Sequence, residues 1–430
     1  MPQRWYHHRM KILSITAQKP HSTGSGTYLT ELVRSFDRSG HRQAVVCGIY
    51  PDDEVSFPEG VSCYPVFFGR SDKAPDLLSA PCKASPSAIK ALPFPVVGMS
   101  DIMPYESTRY RDLTPAMISA FEEAFTDAVT RAVSDLDPDL IICHHLFLLT
   151  AIVRKHFPDR KIFGISHGTD LRQMINCPEL AEMVRPYIAG LDMALALHAD
   201  QEERIREIIG MDGDHVRVLG SGYNSALFNT AGRIPYRAGE PVRLCYAGKL
   251  SRPKGVPEML AALDRLASDP AVPEFTLTMA GGCQDEALKA GLESLPPYID
   301  YLGQIPQAAL ADVLRSSDIF ILPSYFEGLP LVLIEAMASG AVPVSTDLPG
   351  VREWIDSNVA SPNVRYVPVP EMAGIDEPTQ KGRADFTDDL TSSIAQAIAD
   401  ISSGSASSAL PDTSSITWDS VAGRILNFSL

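Results

Sequence analysis

Ile319-Phe320-Ile321-Leu322 runs through Pro323-Ser324-Tyr325-Phe326-Glu327-Gly328-Leu329-Pro330 into Leu331-Val332-Leu333-Ile334-Glu335-Ala336-Met337-Ala338. The first four residues are an unbroken apolar run of the length expected for a strand buried on both faces. Glycine and proline punctuate the middle, and the last part suits a helix over Leu331–Ser339. A strand, a loop and a helix in that order make one βα unit. Its loop amides and helix N-terminus lie at the carboxyl end of the strand, a setting suited to an anion. Glu327 sits in the loop, whereas Glu335 falls inside the helix beside Ile334, Ala336 and Met337. A carboxylate there is costly unless it meets a hydrogen-bond partner, and ribose hydroxyls would supply one.

The same alternation extends outward. Strand-like runs at 11–16, 44–47, 140–143, 162–166, 193–197 and 216–219 are separated by amphipathic stretches. A second series follows at 243–247, 276–280, 298–302, 319–322 and 342–345. Repeated βα units predict mainly parallel sheets covered on both faces. At 430 residues the chain is too long for one ordinary core and fits two domains of about 200 residues each. The boundaries read as a disordered leader at 1–9, an N-terminal domain at 10–228, a linker at 229–241, a C-terminal domain at 242–410 and a terminal helix within 411–430 that packs back on the first domain. The Pro-, Ser- and Gly-rich stretch 67–107 interrupts the first domain and reads as a functional insertion or flap.

Tyr246-Ala247-Gly248-Lys249-Leu250-Ser251-Arg252-Pro253-Lys254-Gly255 ends another strand in a basic loop. Two lysines five residues apart suit a leaving diphosphate, whose charge grows in the transition state; a solvated basic loop is the plain alternative. Thr23-Gly24-Ser25-Gly26-Thr27 is a glycine turn ahead of a helix placed at 27–39. Leu29 occupies the third glycine position of a dinucleotide fingerprint, which argues against a nicotinamide enzyme. His167, Thr169 and Asp170 follow the strand at 162–166, and His144-His145 follow the one at 140–143. No carboxylate or third histidine is spaced with that pair as a metal set, so polar lining is preferred to metal binding.

The net charge of −16 argues against a broad nucleic-acid-binding surface but leaves room for a small anion held by a few local cations. Seven scattered cysteines without a CxxC pair read as reduced thiols of a cytoplasmic protein. No apolar stretch is long enough for a membrane span.

The segment from Glu327 to Glu335 resembles the two-glutamate, seven-spacer motif of retaining glycosyltransferase family 4. The resemblance implies the GT-B fold: two Rossmann-like doubly wound domains facing a central cleft. It gives Glu327 the donor sugar and Glu335 the ribose, with the backbone of Gly328, Leu329, Pro330, Leu331 and Val332 holding sugar and diphosphate. Lys254 matches the family's phosphate lysine. Lys249 stands where the family usually has arginine, so the planar fork is lost while the charge is kept; Arg252 is the candidate to supply that fork. Gly24, Ser25 and Gly26 match the turn over the diphosphate, His167 the histidine on the sugar, and Gly303 the segment that meets the base. His144, His145, Thr169 and Asp170 are placed on the acceptor side.

The activity implied is transfer of a sugar, with retention, from a nucleoside-diphosphate sugar to a soluble small molecule or glycan. Uridine is the family's commonest base, and guanosine donors also occur. No metal and no other cofactor is expected, because lysines supply the positive charge. A sugar-nucleotide epimerase or phosphorylase on the same fold, or a non-catalytic sugar-nucleotide binder, are the alternatives.

Overall fold

The computed structural model describes residues 9–70, 91–374, 377–405 and 410–429. The chain forms two compact units. One runs to Ser221 and takes in the residues from Trp418 onward; the other is Gly222–Thr417.

In the N-terminal unit the strands are β1 (Lys11–Thr16), β2 (Arg42–Ile49) and β3 (Ser62–Phe67), then the short β4 (Val97–Gly98) and β5 (Thr108–Arg109), then β6 (Leu140–His144), β7 (Ile162–Ile165), β8 (Met193–Ala196) and β9 (Val216–Val218). The helices are α1 (Gly24–Arg38), α2 (Pro115–Leu136), α3 (Leu148–His156), α4 (Thr169–Asn176), α5 (Pro178–Ala189) and α6 (Ala199–Ile209). The main sheet is parallel, in the order β3-β2-β1-β6-β7-β8-β9. Its order reverses between β1 and β6, and loops after those two strands meet at that switch point. β1 is buried almost throughout because both faces of a central parallel strand are covered. Leu29, Leu32, Val33 and Phe36 form the buried face of α1.

In the C-terminal unit β10 (Val242–Ala247), β11 (Phe275–Ala280), β12 (Ile299–Tyr301), β13 (Ile319–Leu322), β14 (Val342–Thr346) and β15 (Arg365–Val367) form a second parallel sheet, ordered β12-β11-β10-β13-β14-β15. Its helices are α7 (Val256–Ala267), α8 (Glu286–Gly291), α9 (Gln307–Ser316), α10 (Leu331–Ser339), α11 (Val351–Asn358) and α12 (Gln380–Ser403). Here the order reverses between β10 and β13, the strands that carry the lysine and glutamate loops. The last helix, α13 (Trp418–Ser429), belongs to the N-terminal unit. Trp418 meets the Tyr28 ring edge-on at 4.7 Å, and Asp419 pairs with Arg38 at 2.6 Å.

Several expectations change. Residues 229–241, read as a linker, group with the C-terminal unit: Arg243 donates to the Ile234 carbonyl at 2.7 Å and Arg233 reaches the Ser339 carbonyl. The stretch 67–107, read as an insertion or flap, is described only at its two ends. Residues 71–90 lie outside the described ones, but its flanks carry buried Leu92, Phe94, Val96, Val97 and Met99, which join the core. Leu92 N donates to the Phe67 carbonyl at 2.8 Å, and the Tyr50 hydroxyl donates to the Glu106 carbonyl. The leader at 1–8 also lies outside the described residues.

Helix α1 begins at Gly24, three residues early, because Thr23 caps it by accepting from Gly26 N at 3.2 Å. Helix α12 ends at Ser403, and Gly404 follows it in the left-handed conformation. Strand β3 escaped the periodicity reading because it contains Pro65, which a strand tolerates at the sheet edge that β3 occupies.

Candidate functional site

In the C-terminal unit two loops are laced together at the carboxyl edge of the sheet. Tyr325 N donates to the Pro253 carbonyl at 3.0 Å, and Gly255 turns back against Pro323. Gly255 has φ +62, and a Cβ there would sit 2.0 Å from Pro323 O. No side chain fits that approach, so the glycine sets the spacing of the loops. Across it, Lys254 Nζ lies 2.6 Å from Glu327 Oε1, both half-buried.

Lys249 comes from the same loop as Lys254. Burial and the neighbouring Lys254 charge hold its ammonium below the usual lysine range. The buried Tyr246 hydroxyl anchors this turn by donating to the Lys249 carbonyl at 2.8 Å. Two cations brought this close favour an anion between them, since an anion reverses the sign of the interaction. Arg252 does not join them. It is exposed and pairs with Asp285, Nε lying 3.3 Å from Oδ2.

Helix α10 starts at Leu331, one residue after Pro330, and no side chain caps it. Gly328, Leu329 and Pro330 lead into it and Leu331 and Val332 form its first turn, whose amides have no intrahelical acceptor. Glu335 lies on the second turn and is only 7% exposed, between buried Ile334 and Ala336. Gly303 follows β12, and its carbonyl accepts from Gly281 N at 2.8 Å. Gly281 in turn presses on Gly248, where a Cβ would fall 1.7 Å from the carbonyl oxygen. The loops after β10, β11, β12 and β13 thus form one continuous rim.

In the N-terminal unit the histidines gather at the carboxyl ends of β6 and β7. His144 Nδ1 and His167 Nε2 are 3.1 Å apart, with rings 10° from parallel. His145 leans on His167 at 4.7 Å between ring centres, and Tyr28 meets His167 edge-on at 5.1 Å. Burial, helped by the neighbouring imidazoles, holds His144 and His167 well below the ordinary histidine range and pushes His145 down to about 3. All three are therefore neutral at pH 7 and not cations. His145 also carries a left-handed backbone, φ +73.

Asp170 departs from its expected acceptor-side role. Its carboxylate is fully buried and accepts from Leu146 N at 2.7 Å, Ser166 Oγ at 3.0 Å and His167 N at 3.2 Å. It braces the loops that present the histidines. Thr169 is half-buried at the first position of α4. Gly24, Ser25 and Gly26 form the first turn of α1, after β1 and on the far side of the switch point from His144. Sequence reasoning missed Tyr28 and Tyr246. Each sits at an ordinary core position of its helix or strand, and only the fold aims it at a functional loop.

Each doubly wound unit thus carries its polar loops at its own topological switch point. The glycosyl transferases group 1 family matches residues 241–372, and the glycosyl transferase 4-like domain matches residues 23–222. The chain belongs to this glycosyltransferase family, and its fold is GT-B. It is 32% identical over 228 residues to a glycogen synthase of Mycobacterium tuberculosis, covering 51% of this chain and 54% of that protein. It is 29% identical over 228 residues to a putative teichuronic acid biosynthesis glycosyltransferase of Bacillus subtilis, covering 50% and 55%. The chain thus matches about half the length of these curated relatives. Among solved structures, a sucrose-phosphate synthase from Thermosynechococcus elongatus aligns with TM-score 0.61 at 16% identity, over 97% of this chain and 98% of that one. The Anabaena protein HepE, solved in complex with UDP and glucose, aligns with TM-score 0.56 at 13% identity over 97% and 99%.

Proposed function

We propose that this protein transfers a sugar, with retention of anomeric configuration, from a nucleoside-diphosphate sugar to a soluble hydroxyl acceptor. The observation that carries the reading is the Lys254–Glu327 contact at 2.6 Å, with Lys249 in the same loop and the uncapped start of α10 on the same rim. Lys249, Lys254 and the α10 amides would take the diphosphate. Glu335 would take the ribose, Gly303 the edge of the base, and Glu327 and His167 the sugar. Gly24, Ser25 and Gly26 would approach the diphosphate from the N-terminal unit, and His144, His145 and Thr169 would line the acceptor side.

In the reaction this implies, the acceptor oxygen bonds to the anomeric carbon as the bond from that carbon to the diphosphate oxygen breaks. The acceptor proton passes to the departing phosphate oxygen, so no strong protein base is needed. The growing phosphate charge is met by fixed lysines, the type of preorganised stabilisation that lowers such barriers. A metal is therefore not required, and turnover should survive chelation by EDTA. Uridine is the favoured base, with guanosine second.

A thermal-shift screen over nucleoside diphosphates tests the donor half, since the preferred nucleotide should raise the melting point most. No stabilisation by any of them would overturn the reading. Incubating the cognate sugar nucleotide without acceptor separates transfer from epimerisation, because an epimerase would convert it alone.

A further inference from the structure

His144 and His167 end up side by side because β6 and β7 are parallel neighbours, with His144 registered against Ile165. A 3.1 Å contact between two imidazole nitrogens needs one proton and one lone pair. Two neutral arrangements satisfy it, and they present opposite polarity on the remaining nitrogen of His167. One observation chooses between them.

Among the described residues, His144 Nε2 is buried without a hydrogen-bond partner. Leaving a bare ring nitrogen there costs less than burying an N–H without an acceptor, the rarer situation in folded proteins. The His144 proton therefore belongs on Nδ1, facing His167. The Asp170 carboxylate, accepting from the backbone N–H of His167, from Leu146 N and from the Ser166 hydroxyl, holds the loops that present the two rings.

The geometry points to His144 as a positioning residue: its Nδ1–H donates to His167 Nε2 and fixes His167 as the Nδ1–H tautomer, so that His167 offers its ligand a donor. The ligand atom that fits is an oxygen with a free lone pair, such as a sugar hydroxyl. His167 in this state cannot take a proton through Nδ1 and does not serve as a base. Unlike His144 Nε2 and both nitrogens of His145, His167 Nδ1 is not among the enclosed, unpartnered ring atoms. Tyr28, edge-on to both rings at 5.1 and 6.1 Å, and the tilted His145 ring keep the pair from rotating. That the ligand is a sugar rests on the transferase reading above; the tautomer does not.

The test uses the full chain labelled with 15N-histidine, without substrate, and long-range proton–nitrogen correlation spectra assigned with H167Q. The expected result is a protonated Nδ1 and bare Nε2 on His167, with His144 protonated at Nδ1. A protonated Nε2 on His167, or averaged signals, overturns the proposal. His144→Asn places an amide donor near the old Nδ1 position and should keep the His167 tautomer, whereas His144→Leu should let both tautomers mix. A His167 still locked in H144L would remove the positioning role. Should H144L fail to fold, the parent and H144N spectra decide. Turnover gives a separate reading: H144L should run about tenfold slower than H144N at little-changed donor KM. Equal rates, with the tautomers as expected, would count against the sugar-contact role and leave the imidazole pair standing.

Discussion

Lys254 Nζ and Glu327 Oε1 lie 2.6 Å apart although 73 residues separate them in the chain. The pair joins the loop after β10 to the loop after β13 across the switch point of the C-terminal sheet. The contact holds both side chains on the same rim.

Replacing Lys254 by Ala should lower turnover at saturating acceptor by at least about tenfold, or 1.4 kcal/mol. Arg252→Ala provides the contrast. Its exposed pair with Asp285 is a solvent-screened surface contact, so its loss should leave turnover nearly untouched. Equal losses in the two variants would mean that Arg252 moves onto the phosphates in the working enzyme.

Glu335→Gln should weaken nucleoside diphosphate binding by roughly tenfold to a hundredfold, the range for one charge-assisted hydrogen bond of about 1.5–3 kcal/mol. Pyrophosphate has no ribose, so its affinity should not change. Calorimetry with both ligands checks the assignment, and a parallel loss for pyrophosphate would refute it.

At Gly255, alanine has to accept φ +62 and a Cβ 2.0 Å from the Pro323 carbonyl oxygen. Strain of this kind costs about 1–3 kcal/mol, and relief requires the two loops to part. Gly255→Ala should lower both the melting temperature and the affinity for nucleotide. A stable variant with full affinity would show that the loops move apart without consequence.

The histidine cluster makes stability depend on pH. In the unfolded chain His145 binds a proton below about 6.5, whereas in the folded chain it does so only near 3. The unfolded state thus binds more protons between those values, and stability falls as the pH drops through that window. His144 and His167, also lowered, act in the same direction. Each contributes at most about 1.4 kcal/mol per pH unit. His145→Asn keeps a residue that tolerates the left-handed backbone and removes the titration. Its urea midpoint should change less between pH 7.5 and pH 5.5 than that of the parent. Identical dependence would mean that His145 is not held neutral by burial.

What the sequence determined by itself was the local grammar. Apolar runs of four to six residues, separated by amphipathic stretches, suffice for parallel α/β units, because a strand covered on both faces has no polar side to show. The βα unit at 319–339 was legible to the residue, since Pro330 and Gly340 bracket the helix. Glu327, Glu335, Lys249 and Lys254 could be singled out because their spacing resembles the motifs of a known family. Only the tertiary structure decided which of them meet. It paired Lys254 with Glu327, drew Arg252 off to Asp285, and turned Asp170 from a lining residue into a brace. It also set His144 against His167 and brought Tyr28 to both. Strand order and register fix these contacts, and both are settled by packing between segments far apart in the chain, which no local periodicity records.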